Sequence, residues 1–132
     1  MEENYLYSDL TKIILRAFYN VYNSLGYGFL EKVYENSMMI ELKKLGLSCF
    51  AQTPIEVFYA SFKVGNYFAD IIVEDKIILE LKAAETICED HELQLINYLK
   101  STDKEVGLLL NFGKKPEHKR KVLTNDYKCH KK

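Results

Sequence analysis

Apolar residues recur at three- and four-residue steps from Ser8 to Leu25, where Leu10, Ile13, Ile14, Ala17, Phe18, Val21, Tyr22 and Leu25 line one face of a helix. Ser8 is the expected N-cap and Gly26 the expected stop. A second helical stretch runs from about Leu30 to Leu45, with Val33, Tyr34, Met38, Leu42 and Leu45 on one side and Gly46 at its end. Between Leu47 and Leu81 the texture changes to short β-rich runs, Ile55 to Tyr59, Phe62 to Val64, Tyr67 to Val73 and Ile77 to Leu81, split by small or charged turns. These predict antiparallel strands. Helical spacing returns from about Cys88 to Leu99, and Val106 to Phe112 reads as a buried strand. A strand, a helix and a strand in that order predict a right-handed crossover that lays the helix on the sheet. The expected class is α/β.

With 132 residues, 48% apolar and 28% charged, the chain is expected to form one domain over residues 1–132, with a core of about 8–123. The net charge of −1 conceals an asymmetry. From Lys114 onward eight basic residues face only Glu117 and Asp126, a balance of +6, which leaves −7 on residues 1–113. An acidic body with a basic tail over 114–132 argues against wholesale coating of nucleic acid but allows one local phosphate-binding edge. The other reading of that tail is a solvated terminus. Cys49, Cys88 and Cys129 form no CxxC or Cys/His cluster, which gives a zinc finger, an iron–sulfur cluster or a disulfide framework little support. Glu2, Glu3 and Asp9 stand where a signal peptide would need basic residues, and no apolar run approaches ~20 residues. A soluble protein of the reducing cytoplasm, without a membrane partner, is expected.

The chemistry concentrates in the stretch from Asp70 to Lys82. If Glu74, Asp75 and Lys76 form a three-residue turn between Val73 and Ile77, Asp70 lies opposite Glu80, and Lys82 shares the face of Glu80. Opposite residues on one face have β-carbons about 4.5–5.5 Å apart, a distance at which two like charges oppose folding. Two converging carboxylates suit Mg²⁺ or Mn²⁺, which bind few protein oxygens and keep several waters. A metal there can acidify a bound water, and the Lys82 ammonium can offset charge developing on a phosphate. The alternative is an exposed charged hairpin face, and a one-residue slip would put Asp70 opposite Leu79. Against that alternative, Ile71-Ile-Val and Ile77-Ile-Leu are continuous apolar runs, the texture of strands covered on both faces, where charges need partners.

Asp70, Glu80 and Lys82 stand in the D-(x)9-E-x-K pattern, and the sequence resembles the PD-(D/E)XK nuclease superfamily. Gly28-Phe-Leu-Glu31-Lys-Val-Tyr34 is similar to the signature of the bacterial GxxExxY proteins, and Gln94-Leu-Ile-Asn-Tyr98 to the Q-x-x-x-Y helix motif of RecB-type nucleases. The likeness extends over about residues 8 to 123. It implies a mixed sheet flanked by helices and a metal-dependent phosphodiesterase site acting on nucleic acid, DNA before RNA. Asp70 and Glu80 would be metal ligands, Lys82 the catalytic lysine, and Glu31, Gln94 and Tyr98 further members of the site. Each has a plainer reading: Glu31 as a first-turn glutamate favoured by the helix dipole, Tyr98 as packing between helix and sheet. His91, about one turn before Gln94, is either a further site contact or an exposed polar residue.

Lys114, Lys115, Lys119, Arg120 and Lys121 follow the last apolar run and form either a phosphate-contacting edge or a solvated terminal helix. Of these, Lys119, Arg120 and Lys121 are the expected nucleic-acid contacts. No helix-turn-helix or zinc finger is visible, so specificity would come from substrate structure, homo-oligomerisation or a partner protein. A non-catalytic nucleic-acid-binding or assembly subunit that keeps the nuclease scaffold is the rival reading.

Overall fold

The computed structural model describes residues 6–128. Helix α1 (Ser8–Leu25) and helix α2 (Glu31–Lys44) open the chain. Strands β1 (Cys49–Tyr59), β2 (Phe62–Val73) and β3 (Ile77–Lys82) follow, then helix α3 (Glu89–Lys100) and strands β4 (Val106–Phe112) and β5 (Pro116–Val122). The five strands lie in sequence order in one mixed sheet, parallel between β3 and β4 and antiparallel elsewhere. Because β3 and β4 run parallel, the chain must cross over between them, and α3 is that crossover.

Both faces of the sheet are covered, as the apolar runs of β3 and β4 require. On one face Ile14, Phe18, Tyr34, Met38 and Leu42 of the first two helices pack against Ile71, Leu79, Leu108 and Leu110. On the other, Leu95, Tyr98 and Leu99 of α3 pack against Ile72, Ile78 and Leu109. Gly107 lets α3 lie close, since a Cβ there would meet the Leu95 side chain at 2.6 Å.

Three expectations about local structure are corrected. Ser8 is the first helical residue rather than the cap, which is Tyr7 in a left-handed conformation. The runs Phe62 to Val64 and Tyr67 to Val73 belong to one strand, β2, because Gly65 and Asn66 continue the ladder opposite Val57 and Glu56. The basic segment, read either as a phosphate-contacting edge or as a solvated terminal helix, is the edge strand β5 and not a helix. Its charged residues fit an edge, where lysines discourage pairing with another chain.

The loop between β3 and α3 is held from below by buried Asn111, whose side chain accepts a hydrogen bond from the Ala84 N–H at 2.9 Å and donates to the Ala84 carbonyl at 3.0 Å. Glu117 of β5 accepts from the Ile87 N–H and the Thr86 hydroxyl. A Cβ on Gly113 would lie 2.5 Å from the Ala84 carbonyl oxygen, a backbone atom that cannot rotate away. Gly113→Ala is therefore expected to destabilise the fold by about 1–3 kcal/mol, measured by denaturant unfolding.

Candidate active site

The hairpin between β2 and β3 turns through Glu74 and Asp75, both with positive φ, and the Lys76 N–H bonds the Val73 carbonyl at 3.0 Å. Pairing runs Val73 with Ile77, Ile72 with Ile78 and Ile71 with Leu79. One step further Asp70 meets Glu80, and there the regular ladder ends. The two carboxylates replace the backbone bonds. The Asp70 N–H donates to Glu80 Oε1 at 3.2 Å, and the Leu81 N–H donates to Asp70 Oδ2 at 2.8 Å. The pair thus sits at a fork where β2 leaves β3 and continues with β1 alone.

The fork has a second cause on β1. Ala51 pairs with Ile71 and Thr53 with Ala69, so Gln52 faces Asp70, and its φ is +53°. A left-handed residue inside a strand breaks the alternation of facing. Cys49 and Ile71 pack under the first two helices, whereas Ile55 and Ala69, an even number of residues away, pack under α3. The hairpin therefore rolls over at Gln52 and Asp70. Backbone strain of this kind costs about 1–3 kcal/mol and concentrates at functional sites.

Helix α2 brings its first turn to the same fork. Gly28, with φ +109°, shapes the entry, Glu31 is the first helical residue, and Tyr34 is fully buried. The Tyr34 hydroxyl donates to the Gly26 carbonyl at 2.7 Å and accepts from the Phe29 N–H at 3.3 Å, while its ring stacks on Phe112 at 4.1 Å. Spacing of Gly, Glu and Tyr thus has a local physical reason: the tyrosine ties down the loop that aims the glutamate. Glu31 is exposed, and its charge reaches both Asp70 and Glu80. Glu35, one turn on, is buried, accepts from Gln52 Nε2 at 2.6 Å and from Lys32 Nζ at 2.7 Å, and also acts on Asp70.

From the other face, Gln94 Nε2 donates to the Tyr98 hydroxyl at 2.6 Å. Burial raises the Tyr98 pKa, and the charges of Glu80 and Asp70 raise it further. His91 does not reach this group through any hydrogen bond seen here: its Nδ1 accepts from the Cys88 N–H at 3.2 Å and closes the start of α3.

Burial and mutual repulsion disfavour two ionised carboxylates at the fork. Glu80 is only 4% exposed, and its pKa is raised to about 8, first by burial and then by Asp70, against the opposing Asp70 N–H and Lys82. Asp70 is raised by burial first, with Glu35 and Glu31 adding to it, while the Leu81 N–H and Lys82 hold it down. Lys82, partly buried and in register with Asn111, carries the cation nearest in effect to both. Among the described residues no group of three or more His, Cys, Asp or Glu side chains is arranged to hold a metal ion. The two strand carboxylates still fit a hard cation such as Mg²⁺, which takes one or two carboxylates and keeps waters for its other positions.

The structure brings Asp70, Glu80, Lys82, Glu31 and Tyr98 into one electrostatic neighbourhood, with Gln94 bonded to it. It divides the basic segment. Lys119 and Lys121 pair with Leu109 and Gly107 and share the face of α3, where Lys121 meets Glu92 at 2.5 Å. Arg120 pairs with Leu108 on the opposite face and donates to the Leu6 carbonyl at 2.5 Å. Sequence reasoning missed Glu35 and Gln52. Glu35 stands beside Tyr34 and Met38 on the inward side of α2, the one signal that could have found it, and nothing in the sequence announces a left-handed Gln52.

A family model of the PD-(D/E)XK nuclease superfamily matches residues 8–122, and the chain belongs to that superfamily. Nucleases of this kind typically use divalent metal ions, and the membership supports a nuclease-like function that engages nucleic acid. The crystal structure of SSO0001 superposes with a TM-score of 0.52 at 17% identity, covering 70% of this chain and half of that one. At that identity the likeness concerns the fold. No curated protein matches the sequence. Among the described residues no helix is long and apolar enough to cross a membrane.

Proposed function

We propose that the protein is a Mg²⁺- or Mn²⁺-dependent nuclease of the cytoplasm that hydrolyses phosphodiester bonds of DNA, one of the GxxExxY proteins. The observation that carries this reading is the fork itself: two carboxylates on diverging strands, each held by the other strand's N–H, with Glu80 raised to about 8 beside a single lysine. Asp70 and Glu80 would hold the metal, which supplies a water of lowered pKa and a positive charge for the phosphate. Their mutual backbone bonds fix the two carboxylates before any ligand arrives, so little ordering remains to be done on binding. Lys82 orients the attacking water and offsets the charge that grows on the phosphate oxygens. Tyr98, whose phenol is protonated at neutral pH, and Gln94 are hydrogen-bonding groups on the α3 side that hold the phosphate. Glu31, exposed at the mouth, adds negative field that favours the cation.

The test is cleavage of labelled single- and double-stranded DNA and RNA with Mg²⁺, Mn²⁺ or EDTA. Metal-dependent cleavage of DNA is expected. Binding without turnover on every substrate would make the chain the non-catalytic subunit instead.

For the nucleic-acid surface, Lys119 is exposed on the α3 face and Arg120 is tied to Leu6. Lys119→Ala is expected to lower DNA affinity and reduce the slope of log K against log salt by about 1. Arg120→Ala is expected to lower the melting temperature more than the affinity, and calorimetry with a salt titration separates the two.

A further inference from the structure

Beside the fork, on the side of α3, lies a cavity of about 630 Å³ that shares Gln94 and Tyr98 with the site. Its walls include the apolar Val57, Phe58 and Leu93, the ring of Tyr67, and the amides of Gln94 and Asn97, with the charged Asp90 and Lys100 also in the lining. Tyr67 packs its ring against Tyr98 at 5.8 Å between centroids, yet remains half exposed. Its size falls in the range of ligand sites, about 300–1,000 Å³.

We infer that this cavity seats one unpaired nucleobase of the strand being cut. The inference rests on the nuclease reading and names the substrate that reading leaves open. A nucleobase needs an aromatic surface for its face and amide donors and acceptors for its edge, and the cavity offers Tyr67 for the first and Asn97 and Gln94 for the second. Gln94 and Tyr98 belong both to the cavity wall and to the group around Glu80, so a base seated there has its backbone next to the carboxylates. Tyr59 and Phe62 leave further exposed rings along the β1–β2 hairpin, as a track for unstacked bases would. A paired base keeps its faces inside the helical stack and its edge on its partner, so a regular duplex cannot fill the site. The protein therefore selects phosphodiesters next to unpaired nucleotides.

The experiment uses a labelled duplex, the same duplex with one unpaired base, and the same with an abasic sugar at that position. Cleavage is followed with metal present, and binding by fluorescence anisotropy without it. The unpaired base should be cut and bound about tenfold better than its paired counterpart. Removing the base should abolish that advantage, and so should Tyr67→Ala, while Tyr67→Phe retains it. The two losses should not multiply when combined, because both delete one contact. Equal treatment of the three substrates, or losses that multiply, would overturn the base site. Cleavage without preference would leave the nuclease reading standing and refute the cavity's role. Preferential binding with no cleavage would refute the nuclease reading and keep the base site, and neither cleavage nor preference would refute both.

Discussion

Lys82→Ala is expected to lower the rate of DNA cleavage by at least about 100- to 1,000-fold while the fold and the binding of metal survive. Lys82 ends β3 beside Asn111, partly buried, and its charge holds down the pKa values of both Asp70 and Glu80. In the resting protein it therefore balances the pair. In the transition state it faces additional negative charge on the phosphate, so its contribution grows where the barrier lies. Removing it takes no oxygen away from the metal, and one less positive charge favours cation binding. Wild-type rates in a folded Lys82→Ala protein would exclude Lys82 from the chemistry, and loss of folding would be visible by circular dichroism before any assay is read.

The second large effect concerns pH and stability. Glu80 has a folded pKa of about 8 against an ordinary value of 4.5, and it is almost wholly buried. A group raised in this way contributes fully below the unfolded value and loses its contribution as pH rises through the folded one. The metal-free protein should thus lose stability between about pH 4.5 and 8, on the order of several kcal/mol for a shift of this size. Glu80→Gln stays neutral and keeps an oxygen for the Asp70 N–H. It should melt close to wild type at pH 5 and several degrees above it at pH 8, in chelator. Added Mn²⁺ should raise the melting temperature of wild type at pH 8 and not that of the variant, because a neutral amide at position 80 cannot replace the anionic ligand. A variant that melts below wild type at pH 8 would contradict the account.

Much of the fork was legible because the hairpin obeys simple arithmetic. A three-residue turn between two apolar runs leaves one register that buries both, and that register sets Asp70 against Glu80. Both helix ends at Gly26 and Gly46 were legible for a similar reason, since each takes a left-handed conformation that other residues resist. At Gly46 the Leu47 N–H returns to the Leu42 carbonyl and completes the stop. Strand β5 was not legible. Its sequence, PEHKRKV, has no apolar alternation, because an edge strand with one side open to solvent has little to bury. The roll of the β1–β2 hairpin was hidden too, as Gln52 takes its positive φ from the tertiary fit and not from its own preference. Glu35 escaped because a buried glutamate reads as part of a polar helix face until Gln52 and Lys32 are seen to satisfy it.

The central claim is that Asp70 and Glu80 together hold a divalent cation. Calorimetric titration of the wild type with Mn²⁺ at pH 7.5, beside Asp70→Ala and Glu80→Ala proteins shown to be folded, addresses it most directly. One site is expected in the wild type and none in either variant. Unchanged binding in either variant would contradict the claim.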